Sequence, residues 1–179
     1  LIRDELAVVE REKNVRLLST LNREIAAIVR DNPAPFIYER IGNRFRNLFI
    51  DEFQDTSITQ WHNLIQLFEH LLSLDEMGMV VGDGKQAIYR WRNGNYEQLE
   101  ALPGLIGNPG PALVDAAQAL RRAHLPARLK FNRRSGSAIV DWNNRWFESV
   151  QRHLPESLQG VYDDVQQTAT AKHLSLIHI

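Results

Sequence analysis

Two short apolar runs, each cut off at once by acidic or glycine-acidic residues, constrain this chain more than any other feature. Leu48-Phe49-Ile50 gives way to Asp51-Glu52, and Met79-Val80-Val81 gives way to Gly82-Asp83-Gly84. Runs this brief, with polar punctuation, suit strands buried on both faces of a parallel sheet. Between them Ser57-Ile58-Thr59-Gln60 has the form of a capping box. It opens a helix with Ile58, Trp61, Ile65, Phe68 and Leu72 along one stripe. Helical patterns recur around residues 112–124 and 136–152, with a strand candidate at Arg128 to Phe131 between them. Strands alternating with helices predict an α/β layered fold, a parallel sheet flanked by helices.

Ahead of the first run, Leu17, Leu21, Ile25 and Ile28 recur at helical spacing, so residues 1 to about 31 read as helix. Asn32-Pro33-Ala34-Pro35 stops it, because proline supplies no backbone donor and restricts its neighbour. A short second helix is expected from Phe36 to Ile41, ending at Gly42. The Pro/Gly-rich stretch from Pro103 to Pro111 is the one internal linker candidate, and no repeat is visible. Three segments follow: 1–47, a helical lead-in; 48–152, the α/β part; and 153–179, a tail. The chain opens on Leu1, its only methionines are Met77 and Met79, and residues 174–179 share no period with what precedes them. The expectation is a fragment of a longer protein whose last residues are not native.

Composition excludes several classes. Among 179 residues, 44% are hydrophobic and 24% charged, ordinary for a soluble globular protein. No run reaches the roughly 18 to 20 apolar residues of a membrane span, and no signal-peptide pattern is present. A cytoplasmic location and no membrane partner are expected. The absence of cysteine rules out a disulfide framework, a thiolate metal site and a cysteine nucleophile. His62, His70, His124 and His153 lack metal-ligand spacing. A net charge of -1 argues against an indiscriminate polyanion binder, so a nucleic-acid partner would need a local basic surface. Arg121, Arg122, His124, Arg128, Lys130, Arg133 and Arg134 form such a stretch, which also suits a solvated basic face.

The acidic pair carries the chemistry. In open α/β sheets ligands bind beyond the carboxyl ends of the strands, where Asp51 and Glu52 stand, followed by Gln54 and Asp55. Mg²⁺ takes one or two carboxylates and completes its shell with water and substrate phosphates. A second carboxylate can orient the water that attacks a terminal phosphate. An Asp-Glu pair on its own also suits the positive end of the next helix dipole. After the second run, Lys85, Gln86, Arg90 and Arg92 supply donors for phosphate oxygens, and Tyr89 and Trp91 offer flat faces on which unpaired bases stack. Taken singly these residues also fit core packing and a solvated turn; their interleaving favours the functional reading.

Phe49-Ile50-Asp51-Glu52-Phe53-Gln54-Asp55-Thr56-Ser57 and Val81-Gly82-Asp83-Gly84-Lys85-Gln86-Ala87-Ile88-Tyr89-Arg90-Trp91-Arg92 resemble motifs II and III of UvrD/Rep-type superfamily one helicases, in order and in spacing. Asn132-Arg133-Arg134-Ser135 resembles motif IV. The resemblance covers about residues 38–150. Lys85-Gln86 is more like the RecB/AddA helicase–nuclease branch than the repair-helicase branch. The resemblance implies part of a RecA-like P-loop NTPase motor in a 3′ to 5′ DNA helicase of repair or recombination. Its substrate would be ATP, its cofactor Mg²⁺, and its track single-stranded DNA, with a nuclease domain or a partner subunit of a RecBCD/AddAB-like complex as further company. It implies that Asp51 holds Mg²⁺, Glu52 activates water, Gln86 senses the γ-phosphate, and Arg134 contacts it. Tyr89, Trp91 and Arg92 would lie along DNA, with Arg92 and Gln54, together with Asp55 and Asp83, linking the two sites. Two departures stand out. Arg133 replaces the aromatic usually placed against adenine, although a guanidinium can stack on a base. Gly84 replaces a residue that is usually not glycine.

Nothing here matches Gly-x-x-x-x-Gly-Lys-[Ser/Thr], the loop whose amides and lysine cradle phosphates. With that loop and the second motor domain missing, the chain alone is expected not to hydrolyse ATP. A catalytically inactive helicase-derived DNA-binding or scaffold module is the alternative. An unrelated P-loop ATPase would have no reason to carry the Tyr89-Trp91 run.

Overall fold

The computed structural model describes residues 2–31, 44–163 and 165–170. These divide by internal contacts into two compact units, residues 1–124 and 125–179, a division that falls within the expected 48–152 segment. The expected Phe36–Ile41 helix and the tail residues 174–179 lie outside the described residues.

In the first unit, β1 (Asn47–Ile50) and β2 (Met77–Val80) pair in parallel, with Leu48 opposite Gly78 and Ile50 opposite Val80. Two further bonds extend the ladder: Val81 donates to Ile50, and Phe53 donates to Val81. Parallel neighbours need a crossover, and α3 (Ile58–Ser73) supplies it. Its capping box forms as the sequence predicts, with Ser57 Oγ accepting from the Gln60 amide and Gln60 Oε1 from the Ser57 amide. Trp61, Ile65 and Phe68 are buried, together with Leu67 and Leu71. Phe53, Trp61 and Phe68 meet edge to face, with ring centroids 5.0 and 5.2 Å apart, the geometry aromatic quadrupoles favour. This ladder is the centre of the core, and Leu48, Ile50 and Val80 pack on it from the sheet.

The mixed helix–sheet class with parallel pairing agrees with the sequence reading, but the strands are not buried on both faces. Burial alternates along both, leaving Phe49, Met77 and Met79 exposed, because among the described residues helices cover only the side that α3 occupies. The N-terminal helix also differs. It is two helices, α1 (Ile2–Glu12) and α2 (Leu18–Asp31), because Asn14 turns into the left-handed region and the Leu17 amide donates to the Glu10 carboxylate at 2.7 Å. That hydrogen bond is the main reason the Glu10 carboxyl sits below its ordinary pKa, with burial opposing.

The Pro103–Pro111 stretch is no linker. Leu102 and Leu105 pack on the core, and His62 Nε2 of α3 holds the Ile106 carbonyl at 3.1 Å. Burial depresses the His62 pKa, and the carbonyl partly offsets this. The short α4 (Glu97–Ala101) precedes the stretch and α5 (Val114–Ala123) follows it, packing against α3.

The second unit contains β3 (Phe131–Asn132), α6 (Ser137–Gln151), the short α7 (Glu156–Gln159) and β4 (Thr168–Ala169). β3 pairs with β4 in parallel. The expected Arg128–Phe131 strand shrinks to Phe131–Asn132, because the β4 partner offers only two residues of register. The Asn144 side chain on α6 clasps the Gln167 backbone at both its amide and its carbonyl, 3.0 and 2.8 Å. No helix among the described residues is long and apolar enough to cross a membrane.

Candidate functional site

β1 ends at Ile50, and the next two residues turn outward. Asp51 and Glu52 are both exposed, and Asp51 Oδ1 accepts from the Glu52 amide at 2.9 Å. Glu52 then takes up the left-handed conformation, φ 52° and ψ 42°, which costs an L-residue about 1 kcal/mol or more. That single residue reverses the chain, so that Phe53 and Gln54 turn inward and are 0% and 1% exposed. The loop thus presents two carboxylates to solvent on a base fixed by the core.

Gln54 joins this loop to the end of β2. Its Nε2 donates to Glu52 Oε2 at 2.6 Å, and its Oε1 accepts from the Asp83 amide at 3.0 Å. Gly82 makes the approach fit, since a Cβ there would stand 2.8 Å from Gln54 Oε1. Asp83 continues the path. Its Oδ2 accepts from Gln86 Nε2 at 3.0 Å, and its Oδ1 takes both the Lys85 amide at 3.0 Å and Lys85 Nζ at 2.7 Å. Burial pushes the Asp83 carboxyl up, but the Lys85 and Gln86 hydrogen bonds together outweigh it and hold the carboxyl below the ordinary range. The Lys85 ammonium and the Gln86 amide therefore face Asp83, where the sequence suggested donors for phosphate. Glu52, Gln54, Asp83 and Gln86 form one continuous hydrogen-bonded path.

Three residues beyond Gln86 the surface changes character. Trp91 is 72% exposed, Tyr89 is exposed beside it, and their ring centroids lie 6.0 Å apart. The Arg92 guanidinium sits 4.7 Å from the Trp91 ring and 5.6 Å from Tyr89, a cation–π cluster open to solvent. Core packing, the bland alternative for these aromatics, is not what they do. Arg90 is exposed next to them.

Asp55 is half-buried, in the short turn that follows Gln54. Arg133 and Arg134 belong to the second unit, where both are exposed. Their turn is built by Asn132, whose Oδ1 accepts from the Arg134 and Ser135 amides at 3.0 and 2.9 Å. Asn132 Nδ2 in turn donates to Gln167 Oε1. The motif IV resemblance includes Asn132 but assigns its side chain no role; the structure shows it building the turn, as asparagine side chains commonly do. Gln98, which is 2% exposed, was missed altogether; an isolated glutamine carries no pattern that marks it as buried. Among the described residues no group of three His, Asp or Glu side chains could form a dedicated metal cage. A hollow of about 270 Å³ lined by Glu69, Ser73, Ala119 and Arg122 lies at the opposite end of α3 from the acidic loop.

The UvrD/REP helicase N-terminal domain model matches residues 8–104, more than half of the chain. DNA helicase II of Salmonella typhimurium is 33% identical over 125 residues, 69% of this chain and 15% of that protein. RecB, the RecBCD enzyme subunit, of Mycolicibacterium smegmatis is 32% identical over 127 residues, 66% of this chain and 11% of that protein. The Mycobacterium tuberculosis RecB is 40% identical over 65 residues, 36% of this chain and 5% of that protein. The chain therefore spans about 15% or less of the length of these relatives. The acidic loop, the Asp83 turn and the aromatic strip all fall inside the matched span, and the chain belongs to the UvrD/REP helicase family.

Proposed function

We propose that this chain is part of the RecA-like motor of an ATP-dependent DNA helicase that moves 3′ to 5′ on single-stranded DNA during repair or recombination in the cytoplasm. The observation that carries the reading is the hydrogen-bonded path from Glu52 through Gln54 and Asp83 to Gln86, which ends three residues before an exposed Tyr89-Arg92-Trp91 cluster. Such a path supports coupling between a phosphate site and a DNA track.

In this reading Asp51 is the ligand for Mg²⁺. The donor set fits, because Mg²⁺ needs only one or two carboxylates, and only Asp51 Oδ1 is engaged by the protein among the described residues. The ion would neutralise charge on the phosphate oxygens of ATP. Glu52 orients the attacking water, its carboxylate steadied by Gln54. Gln86 reads the terminal phosphate by exchanging its Asp83 bond for a phosphate oxygen. Arg134 stabilises charge developing on that phosphate, and Arg133 stacks on the base. Tyr89 and Trp91 stack on successive DNA bases, with Arg92 against the rings. Asp83 holds its turn through Lys85 and Gln86, and Asp55 with Asp83 belongs to the coupling between the two sites.

Residues 1–47 are the end of an inserted helical subdomain, and 48–152 carry motifs II to IV. The division after His124 favours assigning Asn132 to Ser135 to a separate lobe from the acidic loop. The Lys85-Gln86 pair favours the helicase–nuclease branch, with a nuclease domain or a RecBCD/AddAB-like partner subunit. The chain alone does not turn over ATP, because its 179 residues hold no phosphate-cradling glycine-lysine loop. The test is DNA-stimulated ATPase in the full-length protein, which Glu52→Gln abolishes while ATP and DNA still bind. Absence of such activity in the wild type would establish the inactive scaffold instead.

A further inference from the structure

A second connection between the acidic loop and the aromatic strip runs beside the Gln54 path and uses residues without an assigned role. The Thr56 carbonyl, which closes the acidic loop, accepts two hydrogen bonds from the segment following the strip: Gln98 Nε2 at 2.8 Å and the Asn95 amide at 3.1 Å. Gly94 seats that segment. A Cβ there would come within 3.1 Å of the Asp55 and Tyr89 carbonyl oxygens and 3.2 Å of Asp55 Cα. Gly94 is thus wedged between the acidic loop and the first aromatic of the strip, and its own amide donates to Tyr89 at 3.2 Å. Asn95 Oδ1 accepts from the Glu97 amide, which starts α4 and sets Gln98 pointing inward. The neighbouring Leu99 would be 3.2 Å from a Cβ on Gly82, so the same short helix backs the Gln54 junction. Gln98 Oε1 is buried with no hydrogen-bond partner.

We propose that Gln98 is a positioning residue. With Gly94, it locks the backbone of the acidic loop to the aromatic strip, so that a displacement of Tyr89 and Trp91 by DNA moves Asp55 and Thr56, and with them Glu52. The coupling role rests on the helicase reading above; the clamp itself is a matter of geometry. Two links in parallel make the loop and the strip move as one body, whereas Gln54 alone would leave the loop free to pivot.

The experiment uses the full-length protein and Gln98→Met, which keeps the length and volume of the side chain, removes the bond to Thr56 and removes the unpartnered acceptor. Three quantities are measured: turnover without DNA, turnover with saturating single-stranded DNA, and DNA affinity by fluorescence anisotropy. The expected result is unchanged basal turnover and DNA affinity with stimulation by DNA reduced at least about five-fold, the lower end of usual coupling factors. Unchanged stimulation overturns the proposal. So does an equal loss of basal and stimulated turnover, which marks a structural residue. If Gln98→Met does not fold, Gln98→Leu, which also removes the bond to the Thr56 carbonyl, carries the same expectation, and failure of both to fold assigns the segment to stability and overturns the coupling role. A wild-type protein whose turnover ignores DNA overturns the helicase reading itself, a result distinguishable because it precedes any substitution.

Discussion

Gln54 bears more of the loop's geometry than any other side chain, and replacing it separates two kinds of cost. Gln54→Leu removes the 2.6 Å bond to the Glu52 carboxylate and leaves the Asp83 amide without its acceptor. A hydrogen bond to a charged group contributes about 1.5 to 3 kcal/mol, and an orphaned buried donor costs about 1 to 3. Because Glu52 is exposed, the lower ends apply, and a loss of about 2.5 kcal/mol is expected. Gln54→Glu keeps an acceptor for Asp83 but sets a second carboxylate against Glu52. At a relaxed separation of about 4 Å, repulsion lies between about 1 kcal/mol in water and about 4 near a protein surface. The introduced carboxyl therefore titrates above the ordinary glutamate value of about 4.3 in the folded state. A raised folded value means stability retained in acid and lost as pH rises through it. Urea unfolding at pH 5 and pH 8 reads this directly. The Gln54→Leu deficit should be similar at both, and the Gln54→Glu deficit should be larger at pH 8, by about 0.3 to 3 kcal/mol, since pH 5 already lies above the unfolded value and part of the penalty is present there. An equal deficit for Gln54→Glu at both pH values would refute the reasoning, as would a Gln54→Leu variant within about 0.5 kcal/mol of wild type.

Gly82→Ala should destabilise by about 1 to 3 kcal/mol in the same assay, since its Cβ meets a side chain pinned at both ends. Lys85→Met should raise the Asp83 pKa, visible by NMR titration, because the lysine bonds help to hold that carboxyl low. Asp83 contributes stability above the ordinary aspartate value of about 3.9 and loses it as pH falls through its lower folded value. The variant should therefore lose up to about 1 kcal/mol at pH 7, solvent screening keeping the figure small, and nothing at pH 2. Trp91→Ala should leave the melting temperature unchanged, the side chain being 72% exposed, and weaken single-stranded DNA binding by about 1 to 3 kcal/mol in the full-length protein.

Much of this architecture could be read from local chemistry. The capping box at Ser57 and the stripe from Trp61 to Phe68 specify α3 without outside help, and the polar stops after Ile50 and Val81 mark where the strands end. The parallel pairing followed from those stops and the intervening helix. Other features depend on distant partners. The break between α1 and α2 hangs on Glu10 reaching the Leu17 amide seven residues on. The short β3 reflects its partner's two-residue register, not its own composition. At the candidate site the residue types were legible and their pairings were not. Lys85 reads as a free cation in sequence and is an ion pair in space. Gln54 could be singled out from its motif, whereas Gln98 is decided by a carbonyl 42 residues away.

The exposed face of the β1–β2 sheet has a practical consequence for anyone producing this chain. Phe49, Met77 and Met79 place bulky apolar side chains on a surface that soluble proteins ordinarily cover. Both strands are also edges among the described residues, so each offers unpaired backbone groups to any strand that approaches. A two-stranded sheet is marginal by itself and gains from adding strands. High concentration should therefore drive the purified chain toward self-association through this sheet. Replacing Phe49 and Met79 with threonine, which keeps strand propensity while adding a hydroxyl, should make it tractable in solution without touching the acidic loop.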